Sequence, residues 1–380
     1  MSGPRRNAYA ASGVDVAAGE TAVELIRSAV ESTRRAEVID GLGGFAAAFG
    51  LPSGLRDPVI VASTDGVGTK TALARAIGRF DTLGIDLVAM CADDVVCSGA
   101  EPVAILDYIA IGRVDPPHVA ELVAGVAEGC RLAGCALVGG ETAEHPGVME
   151  PDEFDLAGCC IGVAERSDLI DIGAVEAGDA IVGLAASGLH SNGYSLVRAL
   201  VAEWDVPLDR PYQEQLRRSL GDEATEPLLV AEPGRELATI GDVLLTPTRI
   251  YAPHVLALRA HLRAAGSDLR GIAHVTGGGL PANVPRALPQ SLGARLDPAR
   301  WAMPSELRLI GALGGLDDGE LRGTFNGGLG LVVVLPDASA FEAVAFLTSR
   351  GIPSAVVGEV VEAERLGGQR YVEATLERTE

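Results

Sequence analysis

Lysine is all but missing from this chain: of its 30 basic side chains only Lys70 is a lysine, and the other 29 are arginine. Positive charge as a whole is scarce, because 52 acidic side chains outnumber the basic ones and leave a formal net charge of −22. A surface of that sign repels nucleic-acid phosphates and anionic lipid, which argues against both as partners. The six cysteines, Cys91, Cys97, Cys130, Cys135, Cys159 and Cys160, form no C-x-x-C pair and sit among apolar neighbours. Such thiols are expected to be buried in a reducing compartment, without a disulfide framework or a zinc site. No stretch of about 20 uninterrupted apolar residues occurs. The amino end has no apolar run after Arg5 and Arg6, so a cytoplasmic location is expected. Common signatures of nucleotide and acyl chemistry are missing too: no G-x-x-x-x-G-K-[ST], no G-x-G-x-x-G opening a dinucleotide fold, no kinase set and no G-x-S-x-G. If ATP is used here, another scaffold binds it.

Glycine is abundant instead. The 48 glycines recur as pairs at strand ends rather than in a low-complexity block, which marks tight loops around a site. The sharpest loop follows the apolar run Val59-Ile60-Val61-Ala62, which reads as a buried strand, and contains Asp65-Gly66-Val67-Gly68-Thr69-Lys70. Gly66 and Gly68 bring bare N–H groups close to an anion, Asp65 offers a hard oxygen to a divalent cation, and Lys70 offers a point charge to phosphate. A chain that keeps its one lysine here points to a compact, mobile ammonium rather than a planar fork. The alternative is an ordinary strand-to-helix turn with a solvated lysine.

At 380 residues the chain exceeds one core. Strands and helices alternate in both halves, so the expected fold class is α/β (α+β), with domains over 1–169 and 170–380. Helical spacing runs from 20 to about 39 and again from 81 to 97, where Asp86, Asp93 and Asp94 lie in an apolar setting. Adjacent carboxylates there are costly unless paired or metal-bound. A later strand over 136–138 ends in Gly139-Gly140-Glu141. Asp65, Asp94 and Glu141 converge on one cation if their elements are neighbours. In the second half, a strand over 180–184 leads into Ser187-Gly188-Leu189-His190-Ser191-Asn192, which either binds a polar ligand or caps the following helix. The triple glycine Gly277-Gly278-Gly279 lets N–H groups approach a phosphate, or is a flexible turn. Residues 205–242 read as a surface insertion with a helix near 213–220 and no assigned chemistry.

Seven runs, taken in order, resemble the phosphoribosylformylglycinamidine cyclo-ligase family, the aminoimidazole ribonucleotide synthetases of purine biosynthesis. They are Asp65 to Lys70, Gly84 to Cys91, Gly99 to Pro102, Gly139 to Glu144, His190 to Ser195, Pro247 to Tyr251 and Thr276 to Gly279. The aspartate-glycine loop is shared with a wider ATP-binding superfamily that includes formylglycinamidine synthetase, selenophosphate synthetase and thiamine-monophosphate kinase. The resemblance implies a two-domain ATP-binding synthetase fold whose amino-terminal sheet pairs with a second subunit into a β-barrel, giving a homodimer, with a carboxy-terminal α/β domain. It implies an ATP-dependent ligase with Mg²⁺, turning formylglycinamidine ribonucleotide into aminoimidazole ribonucleotide. On that footing Asp65, Asp94 and Glu141 hold Mg²⁺–ATP, Gly66, Gly68 and Thr69 cradle its phosphates, and Lys70 contacts phosphate. His190 serves proton transfer or stabilises the activated oxygen; Lys70, Asp94 and His190 are thus the catalytic candidates. Ser191 and Asn192 bind substrate beside His190, and Gly277, Gly278 and Gly279 hold its ribose phosphate. The chain departs from the family pattern at Ala10, where lysine is common, at Asp93, where asparagine is usual, and in the longer segment 205–242. Those departures keep open a second reading, a non-catalytic nucleotide-binding paralogue.

Overall fold

The computed structural model describes residues 15–40 and 43–376; Ala10, Arg5 and Arg6 lie outside them. The chain divides into two compact units at residues 166 and 167, with 96–100 grouped with the second. Among the described residues no helix is long and apolar enough to cross a membrane.

The first unit holds helix α1 (Val16–Glu31), strand β1 (Pro58–Gly66), helices α2 (Lys70–Ile77) and α3 (Leu83–Cys97), strand β2 (Glu101–Ile111), helix α4 (Pro116–Ala133) and strands β3 (Ala136–Glu144) and β4 (Phe154–Glu165). The strands form a sheet of order β1-β4-β2-β3. β4 runs antiparallel to both β1 and β2, while β2 and β3 are parallel and joined through α4, as a parallel pair requires. α3 is apolar on all sides because it is wrapped on all sides: Leu87, Val88, Ala89, Cys91, Ala92, Val95 and Val96 are each 0% exposed. It crosses α4 at backbone contact, where a Cβ on Gly84 would stand 2.0 Å from the Val126 nitrogen. The sheet's other face is more open. Ile60 is 64% and Tyr108 41% exposed there.

The second unit is built on a six-stranded sheet of order β10-β7-β9-β5-β8-β6. Its strands are β5 (Ala180–Ala185), β6 (Gly271–His274), β7 (Leu292–Leu296), β8 (Leu329–Leu335), β9 (Ser354–Glu362) and β10 (Tyr371–Glu373). β8 is buried at every position, as the continuous apolar run Leu331-Val332-Val333-Val334-Leu335 demands. Helices in chain order are α5 (Tyr194–Glu203), α6 (Tyr212–Leu220), α7 (Asp222–Ala231), α8 (Ile240–Leu244), α9 (Ala252–Ala264), α10 (Gly279–Asn283), α11 (Ser305–Gly314), α12 (Asp318–Thr324) and α13 (Ala340–Ser349).

Three expectations change. The first helix starts earlier and ends at Glu31 rather than near 39, because Asp15 caps it, accepting from the Ala18 N–H at 3.1 Å. Residues 205–242 hold more than the one helix expected near 213–220: α6, α7 and the start of α8 lie in them. Most consequential, Gly139-Gly140-Glu141 is no turn. It lies inside β3, with Gly140 opposite Asp107 and Glu141 opposite Tyr108. Glycine is needed at 140 because a Cβ there would come within 1.8 Å of Asp107 Oδ1.

Candidate active site

In the first unit β1 delivers Asp65 to its carboxyl end. Asp65 Oδ1 accepts from the Gly66 N–H at 2.7 Å, and Gly68 takes φ +66° to turn the chain into α2. Gly68 and Thr69 are exposed, Asp65 and Gly66 half-buried. These four present polar groups outward at the start of a helix. Asp94 comes from the last turn of α3, where Ser63 Oγ donates to its Oδ2 at 3.3 Å. Ser63 and Asp65 are two residues apart on one strand and share a face, so Asp65 and Asp94 approach the same patch. Cys91 lies under both. Burial pushes its thiol up to about 12, and the charges of Asp65 and Asp94 push the same way.

Lys70 differs from the expectation of a phosphate contact. It is 0% exposed, and its Nζ lies 2.7 Å from Asp86 Oδ2, itself 0% exposed. Burial lowers the pKa of the ammonium, opposed by the charge of Asp86. The cause is position: Lys70 opens α2 facing α3 rather than the loop's outer side, and a carboxylate so deep requires a cation. Asp93 is buried too, at 0%, and its charge is felt by the Cys160 thiol.

Glu141 does not join Asp65 and Asp94 within one chain. The ladders align Asp65 with Gly158, Gly158 with Asp107 and Asp107 with Gly140. β3 is thus three strand spacings from β1, roughly 14 Å, and Glu141, one residue past Gly140, falls on the sheet's opposite, open face. Among the described residues no group of three or more His, Cys, Asp or Glu side chains is gathered to hold a metal ion. Two carboxylates still fit Mg²⁺, which takes one or two from protein and fills its octahedron with phosphate oxygens and water.

Between α1, α4 and the β2–β3 edge lies a cavity of about 210 Å³, lined by Ala22, Val23 and Ile26 on one side and Gly139, Gly140 and Asp107 on another. Its one buried acid is Asp107, whose carboxyl burial pushes up to about 7.

In the second unit the turn after β5 is firmly held. Ser187 Oγ donates to Pro247 O at 2.8 Å and accepts from the Arg249 N–H at 3.0 Å. Arg249 Nη1 and the Tyr251 hydroxyl both donate to Ala185 O, at 2.7 and 2.8 Å. The run Pro247 to Tyr251 is therefore the clamp on this turn. His190, expected as a proton carrier, is 1% exposed. Its Nε2 accepts from the Ser187 N–H at 3.2 Å, and its φ of +64° is a left-handed conformation rare for a residue with a Cβ. The ring is wedged against Gly330, where a Cβ would lie 2.4 Å from its Cε1. His190 shapes the turn rather than presenting a base to solvent. Such strain persists where its surroundings over-determine it.

The expected substrate residues do meet. A Cβ on Gly277 would stand 3.6 Å from Asn192 Oδ1, which sets the triple glycine beside the turn. Gly278 and Gly279 take φ of +85° and +60°. Asn283, unforeseen from sequence, gathers the glycine carbonyls: its Nδ2 donates to Thr276 O at 3.3 Å, Gly277 O at 3.2 Å and Gly279 O at 2.8 Å. Carbonyls taken inward leave a surface that does not repel an anion. Asn326, also unforeseen, donates from Nδ2 to Gly188 O at 2.7 Å. The Asn-Gly-Gly run at 326–328 was the available signal.

Comparison with known proteins places this geometry in a family. Residues 46–164 match the family described as AIR synthase related protein, N-terminal domain, and 176–370 its C-terminal counterpart. A phosphoribosylformylglycinamidine cyclo-ligase of Synechococcus sp. (strain RCC307) is 46% identical, covering 95% of this chain and 98% of its own. One from Gloeobacter violaceus is 48% identical over 93% and 98%, and one from Geobacillus kaustophilus 46% over 93% and 96%. Among solved structures, thiamine-monophosphate kinase from Stenotrophomonas maltophilia K279a superposes with a TM-score of 0.60 at 17% identity, over 93% of this chain and 95% of that one. The hydrogenase maturation protein HypE in complex with ATP gives 0.61 at 18%, over 97% of each. At such identities these two share the fold alone. The sequence matches run through both halves at more than 40% identity, and the chain belongs to the phosphoribosylformylglycinamidine cyclo-ligase family.

Proposed function

We propose that this chain closes the imidazole ring of aminoimidazole ribonucleotide, using ATP to activate the amide oxygen of formylglycinamidine ribonucleotide. The observation that carries the reading is the near-complete 46–48% likeness to cyclo-ligases, joined with the meeting of Asn192 and Gly277. An amide oxygen leaves poorly. It therefore attacks the γ-phosphorus, ADP departs, and the neighbouring amidine nitrogen bonds to the activated carbon, expelling phosphate with the former amide oxygen; loss of a proton completes the ring. No protein nucleophile is needed, so the task is positioning and charge neutralisation. Gly68 and Thr69 offer N–H and hydroxyl donors to the ATP phosphates, and Gly66, whose N–H Asp65 holds, lets the chain approach them closely. Asp65 and Asp94 are the protein ligands for Mg²⁺, which shields phosphate charge when bound. Gly277, Gly278 and Gly279, with Ser191 and Asn192, take the ribonucleotide. Lys70 and His190 act one step back: Lys70 neutralises Asp86 beneath the loop, and His190 sets the turn that carries Ser191 and Asn192.

A homodimer accounts for the open face of the first sheet, where Ile60, Tyr108 and Glu141 face outward. Half-exposed apolar residues on a sheet face invite a partner sheet. The Ile60→Asp variant is expected to sediment as a monomer and to lose activity; an active dimer would refute this assembly. The buried thiols fit a reducing, cytoplasmic setting. The non-catalytic alternative draws little from Asp93, which is 0% exposed. The test is ATP turnover by the purified protein: ADP should form only with formylglycinamidine ribonucleotide present, and ATP binding without such turnover would favour the paralogue.

A further inference from the structure

Residues 205–242 carry no role in the reading above, yet one of their side chains reaches the turn that positions Asn192. Arg235 uses all three guanidinium nitrogens. Nη2 donates to Ser187 O at 3.3 Å and to Glu306 Oε1 at 3.2 Å, Nη1 to Thr246 Oγ1 at 3.4 Å, and Nε lies 3.4 Å from Glu232 Oε2. Glu306 is 0% exposed in the first turn of α11, where the helix dipole favours a carboxylate. It also presses on the turn directly, since a Cβ on Gly188 would stand 2.8 Å from its Oε1. Glu232 fastens the far side: it accepts from the Ser305 N–H at 2.8 Å and from Ser305 Oγ at 2.7 Å. Tyr212 of α6, 0% exposed, completes the chain with its hydroxyl 2.9 Å from Ser305 Oγ.

We infer that Arg235 is a positioning residue for ribonucleotide binding: clamped between Glu306 and Glu232, it fixes the carbonyl of Ser187 and with it the turn bearing His190, Ser191 and Asn192. The segment 205–242 is thus a brace built onto the substrate side of the second unit rather than a surface ornament. A planar fork suits this role, because one rigid group must satisfy a carbonyl, a hydroxyl and two carboxylates at fixed angles. The inference rests on the reading of 187–192 as part of the ribonucleotide site.

The test measures steady-state constants for both substrates, with melting temperatures, in Arg235→Leu, Arg235→Lys, the double variant Arg235→Leu/Glu306→Gln, Asn192→Ala and the control Arg217→Ala, whose partner Glu226 lies on the surface of the same segment. Arg235→Leu is expected to raise KM for the ribonucleotide about tenfold or more while KM for ATP stays within twofold, and Arg235→Lys to recover part of the loss. The double variant removes the fully buried carboxylate together with its cation, so it should regain part of the melting temperature without regaining ribonucleotide KM; a purely structural role would restore both together. Arg217→Ala should match the parent protein. If Asn192→Ala raises ribonucleotide KM and Arg235→Leu does not, the brace is refuted and the site stands. If Asn192→Ala has no effect, the site reading falls and the brace with it.

Discussion

Replacing Lys70 by methionine is expected to destabilise the protein by about 3–5 kcal/mol, the range for a buried charge stripped of its partner. Asp86 would be left at 0% exposure facing a thioether. The pair itself is no bonus to stability over an apolar pair, because two charges had to leave water to form it. The double variant Lys70→Met/Asp86→Leu should therefore recover most of the loss in denaturant unfolding. Were Lys70 a solvent-facing phosphate contact, the single variant would fold as well as the parent and lose only affinity for ATP. The two accounts separate in one titration. A melting curve unchanged in Lys70→Met would return the lysine to the phosphates.

The second large effect is tied to pH. Burial raises the Asp107 carboxyl from an ordinary 3.8 to about 7, so the folded chain holds a proton that the unfolded chain has released. Because the folded state binds more protons across that window, stability is greatest below about pH 4 on this account and falls as pH rises to about 7. That difference corresponds to at most ~4 kcal/mol at pH 8. Asn in place of Asp107 keeps the shape and removes the titration. Asp107→Asn should be equal to the parent in stability near pH 4 and more stable at pH 8, with the difference between the two growing across that window. A stability difference between the two proteins that stays constant from pH 4 to pH 8 would assign the titration to another group.

Much of the architecture could be read from the chain because local and tertiary signals agree. The strand before Asp65, the apolar helix carrying Asp93 and Asp94, and the turn after β5 lie close to where periodicity puts them. What could not be read is neighbourhood. Asp65 and Glu141 each follow an apolar run, but strand order β1-β4-β2-β3 sets them on opposite edges, and no spacing in the chain encodes that order. Glycine misled once: at 140 it makes room for Asp107 inside a strand rather than marking a turn. The single lysine stands out in the sequence but its direction does not, since a residue at the start of a helix can face its neighbour helix as readily as the loop. The work of Asn283 is on backbone carbonyls and leaves no mark in the sequence, whereas Asn326 is marked only by the Asn-Gly-Gly run that it opens. β7 is unmarked too, a short strand whose burial is supplied by β9 and β10 on either side.

Oxygen-18 placed in the amide carbonyl of formylglycinamidine ribonucleotide tests the central claim most directly. The account predicts that the label leaves the substrate and appears in inorganic phosphate, one atom for each ADP and each imidazole ring formed. Label released into water, or phosphate formed without it, would contradict the transfer of the phosphoryl group to that oxygen.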